Sequence, residues 1–319
     1  MKKTSTLFVC WLSVAVAFGQ EVTPVVSQLP DSVAVSRDTT YWQRSFTGSL
    51  NLNQASFSNW AGGGVNSVAI GGIVDMRALY EKARWSWDNT ANLQLGAVNQ
   101  VGTFRKSADQ LLINSVAGYA LAKHIDLFGS ATFSSFLAPG YEYNRLAAGQ
   151  SPLKVSGFLS PGQLTFAWGI AYKPGDWLSI RLSPFAPRFT FLADQSVRYR
   201  IGADNIVIRD PQATTYGVVA GQSVRTEWAA LQLQIALARK LGENVSVSAK
   251  YQLYANYATL DAIDHRFDFL LTARISRFIS TNVGLTALFD KDFSNAWQVQ
   301  QVLGIGLGYS VSTFRDKKK

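Results

Sequence analysis

Cysteine, histidine and long apolar runs are what this chain has least of. It carries one cysteine, Cys10, and two histidines, and beyond Phe18 no apolar run approaches the ~20 residues that a membrane-crossing helix needs. Cys10 lies in the extreme N-terminal segment, so the rest of the chain can form neither a disulfide nor a thiolate metal site. Bulky Phe8 and Val9 precede Cys10, where a lipoprotein site wants small residues, which argues against a lipid anchor. His124 reads as part of a short turn and His265 as the rim of a late strand, and no serine sits in a G-x-S-x-G elbow. A serine hydrolase therefore lacks its base, and neither an enzymatic activity nor a cofactor is expected. Charge is sparse at 16% of residues, with a formal balance of +9, two units of which belong to Lys2 and Lys3. A modest basic excess suits outer-membrane lipid and lipopolysaccharide; the signs of export below argue against nucleic acid.

The first residues, "MKKTSTLFVCWLSVAVAFGQEV", place two lysines before an apolar stretch from Leu7 to Phe18, with Ala17 and Gly19 before a cleavage point. Residues 1–19 read as a signal peptide. Residues 20–41, rich in hydroxyls and prolines, read as a flexible periplasmic lead-in. From Trp42 to Phe314 no linker, charge block or strict repeat intervenes, and residues 315–319 form a basic tail.

Hydrophobic residues nevertheless make up 47% of the chain, and they are spread as alternation. In "NVSVSAKYQLYANY", Val245, Val247, Ala249, Tyr251, Leu253, Ala255 and Tyr257 face one way, with Ser246, Ser248, Lys250, Gln252 and Asn256 opposite. This is the period of a strand with one apolar and one polar face. The pattern recurs in "EWAALQLQIALAR", "RFDFLLTARIS" and "VLGIGLGYSVSTF". Such segments exceed the ~5–6 residues usual in soluble strands and match the ~9–11 that cross a bilayer obliquely.

Very short links are expected at Glu81–Ala83, Lys123–His124, Lys173–Asp176, Leu241–Glu243 and Arg277–Ser280. Longer ones are expected at Ala55–Gly64, Gln100–Ser107, Ala138–Gly162, Phe185–Thr226, Ala258–Asp264 and Lys291–Ala296, in strict alternation with the short ones. Transmembrane barrels have this asymmetry. The reading is an all-β fold, an antiparallel transmembrane β-barrel of about twelve strands over residues 42–314, with both termini periplasmic, in the outer membrane of a Gram-negative bacterium. Tyr80, Trp85, Trp87, Tyr172 and Trp177 fall beside short turns, and Phe136, Tyr141, Tyr257, Phe289 and Trp297 near long loops, as two interfacial girdles. The last strand, with Tyr309 and a terminal Phe314, resembles the signal read by outer-membrane assembly machinery, an expected partner during biogenesis.

Asp75, Arg77, Asp88, Arg181, Lys250, Arg266, Asp268 and Arg274 fall on polar faces and are expected to line the lumen, since charge facing hydrocarbon is costly. The remaining lining is small and polar, so water or an inward-folded loop must occupy the interior. Phe185–Thr226 is long enough to be that plug, its "RYR" and "VIRD" stretches pairing with the wall, or else to extend strands at the surface. The carboxylates at Asp261, Asp264, Asp290 and Asp292 match no calcium loop and read as solvated or ion-paired.

The segments "NLNQASFSNWAGGGVNS", "RWSWDN", "KSADQLLINS", "FLSPG" and "KPGDWLSIRLSP" resemble an uncharacterised family of exported Bacteroidota proteins described as a domain of unknown function. The likeness runs from about Trp42 to the C-terminus. It implies a Bacteroidota outer membrane and supplies no catalytic residues. Asp31-Ser32-Val33 and Asp38-Thr39-Thr40 look like sites that such bacteria O-glycosylate. In the loop motif Asn53, Gln54, Trp60, Gly62, Gly63 and Gly64, the glycines do not open a helix as a phosphate cradle requires, because "VNSVAIGGIVDMRALY" alternates as a strand. The motif reads as the first outward hairpin. Two functions fit: a passive channel for small polar solutes, or a non-conducting accessory subunit of an outer-membrane assembly, secretion or uptake complex.

Overall fold

A computed structural model describes residues 41–55, 67–100, 102–202, 204–260, 262–276, 279–291 and 294–314. The expected signal peptide with Cys10, the expected lead-in up to residue 40 with its Asp-Ser/Thr sites, Trp60, Gly62, Gly63 and Gly64, and the basic tail lie outside the described residues. Asn53 and Gln54 fall within the first strand.

The strands run in chain order β1 (Trp42–Ala55), β2 (Ser67–Lys82), β3 (Trp85–Gln100), β4 (Thr103–Ala122), β5 (Ile125–Ser135), β6 (Gly140–Glu142), β7 (Leu153–Ser156), β8 (Gly162–Gly175) and β9 (Leu178–Phe185). They continue with β10 (Arg188–Phe191), β11 (Tyr199–Ile201), β12 (Val207–Arg209), β13 (Val224–Glu227), β14 (Ala230–Lys240), β15 (Val245–Asn256), β16 (Asp264–Arg274), β17 (Ile279–Asp290) and β18 (Ser294–Ser312). One short 3₁₀ turn spans Gln195–Val197.

Twelve of these, β1–β5, β8, β9 and β14–β18, form a closed antiparallel barrel. The first strand meets the last, from Ser45 opposite Ser312 to Asn51 opposite Gly306, and β8 meets β9. Alternation explains why these sequences adopt this sheet. Along β14, Ala230, Gln232, Gln234 and Ala236 are buried toward the interior while the intervening Leu231, Leu233, Ile235 and Leu237 point outward. Outward residues elsewhere are exposed apolar groups, among them Leu50, Ile70, Ile170, Leu182, Leu303 and Leu307. Closure needs a glycine at the β8–β9 bulge: a Cβ at Gly169 would collide with the carbonyl of Leu182.

The short links are where the sequence places them. The long ones differ in two places. β3 ends at Gln100 and β4 begins at Thr103, so Thr103–Ser107, expected as loop, is strand. Gly102 takes a φ of +79° and its N–H donates to Asn99 Oδ1 at 3.0 Å, the left-handed geometry glycine tolerates. The β17–β18 link is likewise short, so strict alternation of link lengths fails. The reason is strand extension: the 20 residues of β4 span roughly 66 Å at ~3.3 Å each, and a ~30 Å hydrocarbon layer needs less even when crossed obliquely.

The long segment after β9 divides its tasks. β10 pairs with the start of β8 and with β13, so its two ends are strand extensions. Residues 192–223 form a separate small fold described below. Both Trp42 and Ser312 lie at the barrel end that carries the short turns.

Gly169→Ala is expected to weaken closure by ~2 kcal/mol through overpacking at the bulge, measured as a lower denaturation midpoint. Gly242→Ala, where a Cβ meets open space, is the control and should stay near wild type.

Candidate functional site

The interior of the barrel is the site. Of the eight charges expected there, the structure pairs most across neighbouring strands. Asn92 Nδ2 donates to Asp75 Oδ1 at 2.5 Å. Arg77 donates through Nε and Nη2 to the two oxygens of Asp88 at 2.9 and 2.7 Å. Arg266 makes the same two-pronged contact with Asp268, at 2.7 and 3.0 Å, and Thr286 Oγ1 donates to Asp268 at 2.9 Å. Lys250 is buried and stands opposite Asp268 in register. Such geometry is what makes a charge tolerable away from bulk water.

Arg181 uses a different device. It pairs with Ala171, and its guanidinium crosses that small residue to lie 5.5 Å from the ring centre of Phe128. Arg274 shares the lumen phase of β16 but sits at its end, where Nη2 donates to Glu243 O at 3.0 Å and Asn244 Oδ1 at 3.1 Å. It therefore braces a short turn instead of lining the passage. Phe314 follows the end of β18, and its ring lies 5.1 Å from the Arg77 guanidinium, at the base of the lumen. Tyr309 stands outward and exposed, so the two members of the expected assembly signal occupy different faces.

A second cluster is invisible in any single segment. Arg188 Nη1 donates to Asp264 Oδ2 at 2.6 Å while its guanidinium stacks 3.3 Å over the ring of Tyr254. Arg188 pairs in register with Glu227, whose Oε1 accepts from Asn256 Nδ2 at 2.9 Å and Arg225 Nη2 at 3.2 Å. Asp264, read from sequence as a loop carboxylate, is thus half of a buried pair. Tyr254 gave the one available signal: it is the aromatic on the polar phase of β15. Together with Gln110, Gln163, Gln252 and Arg266, Arg188 and Tyr254 line a cavity of 270 Å³ at the long-loop end of the lumen.

The lumen is lopsided. On β4, β5, β8, β9, β14 and β15 the inward side chains are buried, including Asn114, Thr132, Thr165, Ser183, Gln232 and Gln252. On β2, β3, β17 and β18 many are less covered: Gln298 and Gln300 are exposed and Asp75, Asn92 and Thr286 half-buried. Lower on β18 the lumen phase is Gly304, Gly306 and Gly308, which carry no side chain at all. An added Cβ would meet nothing nearer than 3.8 Å at Gly304 and Gly308.

Residues 192–223 form a cap and not an inward plug paired with the wall. Leu192, Val197, Tyr216 and Val218 make its core. Arg198 of "RYR" spends all five guanidinium N–H groups inside it, on Gln195 Oε1 and the carbonyls of Ala213, Val218, Val219 and Gln222 at 2.7–2.9 Å. In "VIRD", Asp210 pairs with Arg200 at 3.5 Å. The cap is stitched to the β5–β8 link: Lys154 Nζ donates to Asp194 at 2.6 Å, Asp194 N to Ser160 Oγ at 2.8 Å, and Tyr216 OH to Val155 O at 2.6 Å.

The two girdles are both present. At the short-turn end Tyr80 faces Trp87, Trp42 lies 5.9 Å from Trp87, and Trp85 4.9 Å from Tyr119. At the other end Phe289, Trp297 and His265 group together, with Tyr251 OH 2.8 Å from His265 Nδ1. His124 belongs to the opposite end, its Nδ1 3.1 Å from Lys173 O. Among the described residues no three His, Cys, Asp or Glu side chains gather as a metal site; Asp261 and Asp292 lie outside them.

The chain is therefore a closed β-barrel with an apolar exterior, a charged interior and a folded cap. A family model described as a protein of unknown function (DUF3078) matches residues 52–141. That span includes "RWSWDN" and "KSADQLLINS" but stops short of "FLSPG" and "KPGDWLSIRLSP", so it is narrower than the resemblance read from sequence. No curated protein matches the chain. Among solved structures, the chain is similar to the translocator domain of the autotransporter NalP from Neisseria meningitidis, with a TM-score of 0.39 and 9% identity over 86% of this chain and 90% of that one. It is also similar to an outer membrane channel from Pseudomonas putida F1, with a TM-score of 0.37 and 10% identity over 88% and 99%. The CymD monoaromatic hydrocarbon channel scores 0.33 at 11% identity over 95% of each chain. All three scores are below 0.5, and the barrel rests on this chain's own hydrogen bonds.

Two outcomes are expected. Arg188→Ala, which strands Asp264 in a pair whose side chains are 8% and 18% exposed, should cost ~3 kcal/mol, and Arg188→Leu combined with Asp264→Leu should recover much of it; denaturant midpoints measure both. Hydrogen bonds from Lys154 and Ser196 pull the Asp194 carboxyl down to about 2. A carboxyl lowered on folding stabilises above its unfolded value of ~3.9 and loses that contribution as pH falls through the folded one. Cap amides such as Ala193 should therefore lose protection, measured against the intrinsic exchange rate at each pH, between about pH 4 and pH 2, and Lys154→Ala should reduce that dependence while the Ser196 bonds keep part of it.

Proposed function

We propose that the protein is an outer-membrane β-barrel of a Gram-negative bacterium that lets small polar solutes pass along the side-chain-poor wall of its lumen, and that it performs no reaction. The apolar outward face, the paired aromatic girdles and strands long enough to cross hydrocarbon support the membrane placement. With short turns facing the periplasm, both chain termini of the barrel lie on the periplasmic side. Lipopolysaccharide and phospholipid surround it, and assembly machinery inserts it; the outward row ending in Tyr309 and Val311 is the surface available for that step.

The observation that carries the channel reading is the lopsided lumen. One wall is packed by buried side chains lying flat on their neighbours, while on the other Gln298 and Gln300 stand exposed and a Cβ added at Gly304 or Gly308 would meet nothing nearer than 3.8 Å, Gly306 being covered by the side chain of Asn51. Because Arg77, Arg188 and Arg266 each face a carboxylate, the passage carries little net field, and selection falls on size and hydrogen bonding instead of charge. The stitched cap, with Phe158, Ile201 and Val219 exposed, favours a second reading, that of an accessory subunit whose loops hold a partner.

Single-channel recording in planar bilayers decides between them. The wild type should conduct with weak ion selectivity, Gly308→Trp should lower conductance by about half or more, and Leu307→Trp, facing outward, should leave it unchanged. A silent barrel that copurifies with a fixed partner would overturn the channel reading.

A further inference from the structure

The outer surface carries a groove that the channel reading does not use. Its floor is formed by Leu50, Ile70 and Leu95, outward-phase residues of β1, β2 and β3 that are each exposed. Its overhanging side is Pro139, Tyr141 and Tyr143 from the β5–β8 link, and the open groove between them has a volume of 460 Å³. The overhang is anchored. Asp109 accepts from the backbone N–H groups of Leu137 and Ala138 at 2.7 and 2.9 Å, and Lys106 Nζ donates to Asp109 at 2.8 Å and to Ala138 O at 2.9 Å.

The groove has one strongly polar side, and it is cationic. Arg105 and Lys106 both line it. Lys106 has used two of its three N–H groups on the overhang and keeps one. Arg105 stacks 4.6 Å over Tyr143, and its Nε is buried with no hydrogen-bond partner among the described residues. Among those residues no carboxylate pairs with it. A guanidinium at an apolar surface without an anion is costly, and it calls for an anionic partner that would neutralise it.

We infer that this groove binds a phosphorylated glycolipid of the outer leaflet, the lipid A part of lipopolysaccharide, with an acyl chain on the floor of Leu50, Ile70 and Leu95 and a phosphate on Arg105 and Lys106. The inference rests on the outer-membrane placement proposed above, because only there does that lipid surround the long-loop end of the barrel. An acyl chain matches the apolar floor, and a phosphate takes the planar fork of an arginine in a way a neutral headgroup does not.

The test uses the full-length barrel purified in mild detergent and native mass spectrometry with diphosphorylated lipid A, its dephosphorylated form, and phosphatidylglycerol as probes. The wild type is expected to retain one diphosphorylated lipid A in preference to both other lipids. Arg105→Ala should weaken that retention by about tenfold, and Arg105→Lys by less. Should Arg105→Ala fail to reach the folded barrel, Leu95→Gln, on the opposite side of the groove, should lower retention in the same way. Equal retention by wild type and variants, or equal binding of phosphatidylglycerol, overturns the assignment. Density-gradient fractionation separates the two failures: a chain found outside the outer membrane refutes the placement itself, whereas an outer-membrane chain whose lipid A binding ignores Arg105 refutes the groove alone.

Discussion

The register of β1 against β18 is the contact on which the rest of the molecule depends. It runs from Ser45 opposite Ser312 to Asn51 opposite Gly306, with Thr47 Oγ1 donating to Ser310 Oγ at 3.0 Å and Thr313 N to Arg44 O at 2.8 Å beyond it. Without it, two strand edges would present rows of unpaired N–H and C=O groups, which water can satisfy but hydrocarbon cannot. Closure removes both edges at once. It also commits every strand to an inside and an outside, so each polar residue on the inner phase must find its partner within a narrow, poorly solvated space.

The interior meets that demand in two ways. Where opposite charges fall on adjacent strands they meet directly, as Arg77 does Asp88. Elsewhere a long side chain also reaches an aromatic face, as Arg181 crosses Ala171 toward Phe128, and Arg188 combines the two, covering Tyr254 while it meets Asp264. Small residues such as Ala167 and Ala171 are buried in this wall because they are the ground on which longer neighbours rest. The opposite wall has glycine in β18 and few long groups, so the lumen is asymmetric as a consequence of composition and not of any inserted plug.

The cap shows how a long connection becomes ordered without joining the barrel. Its small apolar core would not hold a loop of this length alone. Arg198 makes up the difference by answering four carbonyl groups that no strand or helix satisfies, its charge well suited to several acceptors at once. The stitches through Asp194 and Tyr216 then tie this unit to the second long link, which elsewhere provides the overhanging side of the outer groove.

Alternation, strand length and aromatic placement are local properties, and a reader of the sequence finds them without knowing any neighbour. The all-β class, the strand count near twelve, the shared polar phase of Asp75, Arg77, Asp88, Lys250, Arg266 and Asp268, and the two aromatic clusters were legible for that reason. Pairing is not local. Arg188 and Asp264 are 76 residues apart and meet only because the closed sheet brings β10, paired with β8 and β13, near the start of β16, paired with β15. The extension of β4 through Thr103–Ser107 looked like a loop because its bulge opposite Gly96 breaks the period there. Phe314 reads from sequence as the aromatic that closes the last strand, yet β18 stops two residues earlier and the ring lies beside the Arg77 guanidinium. Period two in the sequence determined which face each strand turns inward; the register between strands, a property of the closed sheet, decided which residues meet there.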